Sequence, residues 1–124
     1  MKYIKKKLAI DNVRLVDIAR KFDTPTYCYS YTQLKKNINS FKKNFKTFSP
    51  LICFAIKSNT NLNLIKEIQK FGLGADVVSM GELMMALKAG INPKKIVFSG
   101  VGKTASEISY AIDKKILLIN AESK

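Results

Sequence analysis

One lysine of the sequence follows an apolar run, where an amine could do chemistry. Lys57 comes directly after the six apolar residues from Leu51 to Ile56, which are typical of a buried parallel strand. Burial disfavours the charged form of an amine, and a neutral amine can attack an aldehyde to form a Schiff base. A hydrated lysine at a strand end is the alternative that position alone leaves open.

Polar residues also follow the later apolar runs. They are Ser79, the segment from Ser99 to Lys103 and the segment from Asn120 to Glu122. In parallel α/β sheets, functional groups lie just beyond the carboxyl ends of the strands, so these positions are site candidates. Glu82 is better explained as a capping residue, since it stands three positions after Ser79. Lys103 is the competing amine, and we expect it to stay hydrated and protonated in the loop before Thr104.

A glycine-containing loop precedes Thr104, but it does not match a Walker phosphate loop. Gly100 stands only three residues before Lys103, whereas the first glycine of the Walker motif G-x-x-x-x-G-K-[ST] stands six residues before its lysine. A phosphate at the start of the following helix is the alternative, because free backbone N–H groups point outward there.

Strands and helices alternate from residue 51 onward. Strands are predicted at 51–56, 75–78, 95–98 and 116–119, and helices at 62–71, from 79 to 90 and from 104. The strand ends recur every 20 to 22 residues, which is typical of repeated βα units. Four strands with three helices predict the amino-terminal half of an eight-stranded (β/α) barrel, incomplete by itself. An open four-stranded parallel sheet is the alternative.

The first fifty residues follow a different pattern. Apolar spacing predicts a short helix over 12–22, and the residue types of 26–29 predict a short strand leading into the barrel. Ser30 and Gln33 form a capping-box pattern, and the helix that follows should end near Phe48, before Pro50.

The composition is basic but does not indicate a nucleic-acid partner. Lysine and arginine total 22 against 9 acidic residues, for a net charge of +13. Only Arg14 and Arg20 are arginines, and the lysines are scattered over most predicted helices, whereas nucleic-acid sites favour arginine and stacking aromatics. No apolar run reaches the roughly 20 residues of a membrane helix, so no membrane partner is expected.

The two cysteines, Cys28 and Cys53, both fall on predicted strands. They are better explained as small buried side chains than as a disulfide or metal site, and we expect no metal. A reducing, cytoplasmic location is the expectation.

Three segments together resemble one enzyme family. Phe54-Ala55-Ile56-Lys57-Ser58-Asn59 is similar to the cofactor-lysine signature of the pyridoxal-phosphate decarboxylases with an alanine-racemase-like (fold type III) barrel. The segments from Ala75 to Leu83 and from Ile96 to Thr104 resemble the diaminopimelate decarboxylases more than the ornithine enzymes. The resemblance extends from about Thr24 to the end of the chain.

The resemblance implies a site and a reaction. Lys57 would hold pyridoxal 5'-phosphate covalently, and Asp76 would orient it or balance its charge. The activity implied is decarboxylation of the amino acid meso-diaminopimelate to lysine by a homodimeric enzyme. The alternatives are an ornithine- or arginine-type decarboxylase and a non-catalytic pyridoxal-phosphate-binding homeostasis protein.

The resemblance also implies a domain division. Residues 1–30 would belong to the second, β-rich domain, and residues 31–124 would form the first half of the cofactor-binding barrel. The chain has no histidine, whereas relatives stack one on the cofactor ring. We therefore expect an amino-terminal fragment that is inactive alone.

Overall fold

The computed structural model describes residues 1–4 and 6–123. The chain divides into two compact units, Met1–Ser49 and Pro50–Lys124. The first unit precedes the predicted βα repeats, and the second contains all of them. Each unit is therefore described by itself.

The first unit combines a small antiparallel sheet with two helices. Its strands β1 (Lys2–Ile4), β2 (Lys7–Ile10) and β3 (Val13–Arg14) are hydrogen-bonded in that order. Helix α1 (Leu15–Phe22) and helix α2 (Tyr31–Asn44) follow. The three strands were not predicted from the sequence.

Both predicted helices of this unit are present, but the predicted strand and two of the helix ends are wrong. The first helix begins at Leu15 rather than at residue 12, because Val13 pairs with Ile10 in the sheet and the chain is still extended there. Residues 26–29 do not form a strand, since no ladder among the described residues includes them. Tyr27 is 92% exposed, so the strand was predicted from residue types that do not pack against a sheet here. Helix α2 ends at Asn44, earlier than Phe48.

The second unit contains the predicted alternation of strands and helices. In chain order the elements are β4 (Cys53–Ala55), α3 (Leu62–Lys70), β5 (Gly74–Val77), α4 (Met80–Lys88), β6 (Ile96–Phe98), α5 (Ala105–Asp113) and β7 (Leu118–Ile119). The four strands are parallel and hydrogen-bonded in the order β4-β5-β6-β7. The predicted α/β sheet is confirmed.

The core of this unit lies between one face of the sheet and the helices. Alternate residues of β5 and β6 are fully buried there, as is Ile56 directly after β4: Ile56, Ala75, Val77, Ile96 and Phe98. They pack with buried helix residues that include Ile65, Leu83, Ala86 and Ala111. On the other face, Asp76 and its register neighbour Val97 are half-buried, and Leu118 is exposed. Side chains of a strand alternate between faces, so these three belong to the face away from the helical core.

Side-chain caps fix where the helices begin. The Thr104 hydroxyl accepts from the Glu107 amide at 3.3 Å, and the Glu107 carboxylate accepts from the Thr104 amide at 2.9 Å, which completes a capping box. The same carboxylate also accepts from the Met80 amide at 3.0 Å. Glu107 therefore ties the first turn of α4 to the first turn of α5.

Candidate functional site

The turn after β4 holds Lys57 at the carboxyl edge of the sheet. Ile56–Ser58 form a 3-10 turn, in which the Asn59 amide donates to the Ile56 carbonyl at 2.9 Å. The Ser58 hydroxyl donates to the Ala55 carbonyl at 2.7 Å. Ile56 is fully buried and anchors the turn, so the backbone of Lys57 is fixed on both sides.

The side chain of Lys57 is exposed and not partly buried, which agrees with the alternative of a hydrated lysine that position alone left open. The strand ends at Ala55, two residues before Lys57, and the turn gives the buried position to Ile56 instead. No hydrogen bond or ion pair of the Lys57 amine is formed with the residues that the structure describes. The amine is accordingly free to meet a ligand.

Asp76 lies on the neighbouring strand at nearly the same level. Ala55 is the register partner of Asp76, so Lys57 follows two residues beyond that pair. Within the described part of the chain, the Lys57 amine and the Asp76 carboxylate do not form an ion pair within 4.0 Å. Their direct interaction stays a prediction.

A hydrogen-bonded chain joins Asp76 to the next two strand ends. The Ser99 hydroxyl donates to Asp76 Oδ1 at 2.6 Å, and Asn120 Nδ2 donates to the Ser99 hydroxyl at 3.0 Å. All three side chains are partly buried. The sequence placed Ser99 and Asn120 at this edge but assigned them no role. Their partners became identifiable only through the strand register, which brings residues 21 and 23 positions apart into contact.

The side chain of Lys103 is largely buried, so the expectation that it stays hydrated is wrong. Its side chain is only 9% exposed, and its amine donates to the Gly100 carbonyl and lies 3.9 Å from the Glu122 carboxylate. The amine also lies 5.8 Å from the centre of the Phe98 ring. The loop curls back over the end of β6, where it holds the lysine against its own backbone.

Carboxylates accept hydrogen bonds from both ends of the loop between Gly100 and Thr104. The Gly100 amide donates to Glu122 Oε1 at 3.1 Å, and the Thr104 amide donates to Glu107 at 2.9 Å. These two amides are therefore already engaged by carboxylates. The negative charge of Glu107 and Glu122 beside this helix start disfavours a phosphate there, although the phosphate alternative itself stays untested.

Glu82 acts at the start of α4, in a slightly different way from a capping box. Its amide donates to the Ser79 hydroxyl at 3.3 Å, as predicted. Its carboxylate accepts from the amide of Val78, at 2.9 Å, rather than from that of Ser79. The side chain thus stabilises the chain leading into the helix.

Cys53 lies on the same sheet face as Asp76. Burial raises the pKa of the Cys53 thiol, and the nearby Asp76 carboxylate raises it further. Because only the thiolate is a good nucleophile, this cysteine is not a competing reactive group. Cys53 and Cys28 are both free thiols.

The sheet, its helices and the lysine turn agree with a known family of proteins. A family model described as "Pyridoxal-dependent decarboxylase, pyridoxal binding domain" matches residues 31–124. Since the match covers most of the chain, the chain belongs to the pyridoxal-dependent decarboxylases.

Within that family, the chain is similar to several diaminopimelate decarboxylases. Diaminopimelate decarboxylase from Aquifex aeolicus is 44% identical over 124 residues, which are 100% of this chain and 29% of the relative. The crystal structure of diaminopimelate decarboxylase from Helicobacter pylori complexed with L-lysine is 43% identical, with a TM-score of 0.84, and the match covers 89% of this chain and 28% of that one. The corresponding M. jannaschii enzyme with L-lysine is 36% identical, with a TM-score of 0.94 over 98% of this chain and 30% of that one.

These matches confirm the predicted fold class. The chain corresponds to the amino-terminal part of the decarboxylase barrel structures and spans less than a third of their length. None of the described helices is long and apolar enough to cross a membrane.

Proposed function

We propose that this chain forms the first half of the cofactor-binding barrel of a diaminopimelate decarboxylase, an enzyme that converts meso-diaminopimelate to lysine. The identity of 44% to the Aquifex aeolicus enzyme supports this substrate branch. The Helicobacter pylori and M. jannaschii enzymes of that name have been crystallised with L-lysine, the expected product.

The observation that carries the proposal is the state of Lys57. It is an exposed primary amine on a fixed turn at the carboxyl edge of a parallel sheet, without a partner among the described residues. A lysine with these properties fits pyridoxal 5'-phosphate, because bonding to an aldehyde carbon requires an amine that can leave its protein contacts. Lys103 fits less well, since its amine is already engaged by Gly100 and Glu122.

Each of the proposed site residues has a defined task. When bound, pyridoxal phosphate supplies an electron sink for the electron pair left by departing carbon dioxide. Lys57 Nζ would bind the cofactor and, once released, could hold a proton close to the reacting carbon. Asp76 would balance the positive charge beside Lys57, with one carboxylate oxygen held by Ser99.

The remaining parts of the proposal concern the whole enzyme. Residues 1–30 would belong to its second, β-rich domain and residues 31–124 to its barrel. We propose a cytoplasmic homodimer acting on an amino-acid substrate, without a nucleic-acid or membrane partner.

Substrate tests on the full-length protein examine the proposal. The protein, loaded with pyridoxal phosphate, should release carbon dioxide from meso-diaminopimelate and much less from ornithine or arginine. Preference for ornithine or arginine would replace the substrate assignment. Cofactor binding without carbon dioxide release from any of the three would instead favour the homeostasis role.

A further inference from the structure

We infer that Ser99 and Asn120 are positioning residues, which hold the Asp76 carboxylate in one orientation at the carboxyl edge of the sheet. The inference rests on the proposed function, because it gives Asp76 a task beside Lys57. Ser99 and Asn120 would not touch the reacting atoms. They would act through Asp76.

The backbone fixes both residues before their side chains interact. The Ser99 amide donates to the Val77 carbonyl at 2.8 Å, and the Asn120 amide donates to the Phe98 carbonyl at 2.9 Å. These bonds continue the parallel ladder one residue beyond β6 and β7. Ser99 and Asn120 therefore lie side by side along the same edge as Asp76.

The direction of the hydrogen-bonded chain follows from the chemistry of the three groups. The ionised Asp76 carboxylate can only accept, so the Ser99 hydroxyl gives its one proton to Oδ1 at 2.6 Å. The hydroxyl oxygen must then accept from its other neighbour, and only the Nδ2 group of Asn120 can donate to it, at 3.0 Å. A single arrangement satisfies all three side chains.

A second set of contacts holds the residues that follow Ser99 and Asn120. The Gly100 amide donates to Glu122 Oε1 at 3.1 Å, and the Lys103 amine bonds the Gly100 carbonyl. The two strand ends are thereby tied together immediately beyond the Ser99–Asn120 contact. Neither Ser99 nor Asn120 can therefore shift far without breaking the bonds of the residues that follow it.

The consequence is an oriented carboxylate with one oxygen still open. Oδ1 of Asp76 is occupied by Ser99, whereas Oδ2 has no hydrogen bond within the described part of the chain. Asp76 points to the sheet face opposite the helical core, the face that also carries Ala55, two residues before Lys57. The free oxygen can therefore accept from a cationic donor at that edge, and in the proposed site that donor would be the Lys57 amine.

Variants of Ser99 in the full-length protein test the inference. Ser99→Ala removes the donor to Asp76, whereas Ser99→Thr keeps a hydroxyl, and Ser109→Ala is the control at an exposed helix position. We expect Ser99→Ala to lower kcat by about tenfold to a hundredfold, with a smaller change in KM, because misplaced groups lose catalytic geometry. Ser99→Thr should restore most of kcat, and Asn120→Ala should show a smaller loss than Ser99→Ala.

Crystal structures of the cofactor-free variants give a measurement that does not depend on activity. Asp76 should keep its side-chain conformer in Ser99→Thr and in Ser109→Ala but change it, or occupy several, in Ser99→Ala. An unchanged Asp76 conformer in Ser99→Ala would overturn the inference, whatever happens to kcat. A Thr variant as impaired as the Ala variant, with Asp76 still bonded to its hydroxyl, would also overturn it.

The two proposals can fail separately. If the wild-type protein neither binds pyridoxal phosphate nor decarboxylates an amino acid, the proposed function fails. The Asp76 conformers of the cofactor-free variants would still show whether Ser99 orients that carboxylate.

Discussion

Two lysines lie at the carboxyl edge of the same parallel sheet, and they differ in almost every physical respect. Lys57 sits on a short turn after β4, and its side chain is exposed. Lys103 sits in the loop after β6, where its side chain is 9% exposed and its amine contacts Gly100 and Glu122. One amine is available to a ligand, and the other stabilises the loop that carries it.

The comparison shows that the backbone at a lysine can be held in place while its side chain stays free. The turn at Lys57 is held by buried Ile56 and by hydrogen bonds from Ser58 and Asn59, none of which uses the lysine amine. The loop at Lys103 depends on its lysine to satisfy the Gly100 carbonyl. A covalent cofactor site requires the first arrangement, because the amine must exchange partners without loss of the fold.

Substitution of the two lysines should give the largest contrast. In the full-length protein, we expect Lys57→Ala to abolish the cofactor absorbance near the visible edge and nearly all turnover, since no other free amine is predicted at that strand end. Lys103→Met should keep the absorbance while lowering thermal stability. Lys66→Ala, at an exposed helix position, is the control. A yellow, active Lys57→Ala variant would contradict the comparison.

Substitution of two glycines by alanine tests whether the sheet or the Lys103 loop is the more tightly packed. A Cβ added at Gly74 would lie 2.1 Å from the Lys95 carbonyl oxygen and 2.9 Å from Cys53 Sγ, whereas one added at Gly102 would meet nothing within 4 Å. We expect Gly74→Ala to lower the free energy of unfolding by about 1–3 kcal/mol or more. Gly102→Ala should change it by less than about 0.5 kcal/mol. Denaturant unfolding of both variants measures the difference, and equal losses would show that the loop backbone is packed as closely as β5.

The cap at the start of helix α5, just beyond Lys103, should contribute a smaller amount to the free energy of unfolding. Thr104→Ala removes the hydroxyl that accepts from the Glu107 amide, and loss of such a cap costs about 1 kcal/mol. Ser109→Ala, inside the same helix, is the matched control. The same unfolding measurement applies, and an unchanged stability of Thr104→Ala would show that Lys103 and Glu122 hold this loop without the cap.

The smallest expected effect is a dependence of stability on pH. Backbone hydrogen bonds from Thr104 and then Met80 hold the pKa of Glu107 below its ordinary value of 4.5. A carboxylate with a lowered folded-state pKa adds stability that is fully present above the unfolded pKa and is lost as pH falls through the folded value. The melting temperature of wild type should therefore fall more steeply below about pH 4.5 than that of Glu107→Gln. Parallel curves would rule out this contribution.

The βα repeats were predictable because each one is specified locally. The apolar run before Ile56 and the cap at Thr104 act over a few residues, and the structure confirms the strand and helix that they predict. Parallel pairing followed from the regular spacing of the strand ends. Short-range signals of this kind do not need the rest of the fold.

The strands that were predicted wrongly, or not at all, depend on partners that are distant in the sequence. Strand β2 is only four residues long and only Ala9 is fully buried in it, so its residues form too short a pattern to predict a strand without knowledge of its partner β1. Residues 26–29 have the composition of a strand but lack a ladder partner in the described chain. Residue type alone does not supply a partner.

Within the site, the candidate positions were predictable and the environments were not. The edge residues after each strand followed from topology, but position alone left the exposure of Lys57 open, and the expectation of a hydrated Lys103 was wrong. Lys57 lies in a 3-10 turn that leaves its side chain exposed. The Lys103 amine instead donates to the carbonyl of Gly100, three residues earlier, which keeps that side chain against the loop. The Asp76–Ser99–Asn120 chain depends on register, which sequence spacing does not determine to one residue.

The position of the covalently bound cofactor tests the central claim most directly. Borohydride reduction of the full-length protein loaded with pyridoxal phosphate would trap the cofactor on the lysine that holds it, and peptide mapping would locate the label. We predict a single labelled peptide that contains Phe54 to Asn59, with the label on Lys57. A label on Lys103, with Lys57 unmodified, would contradict the assignment and the comparison of the two lysines.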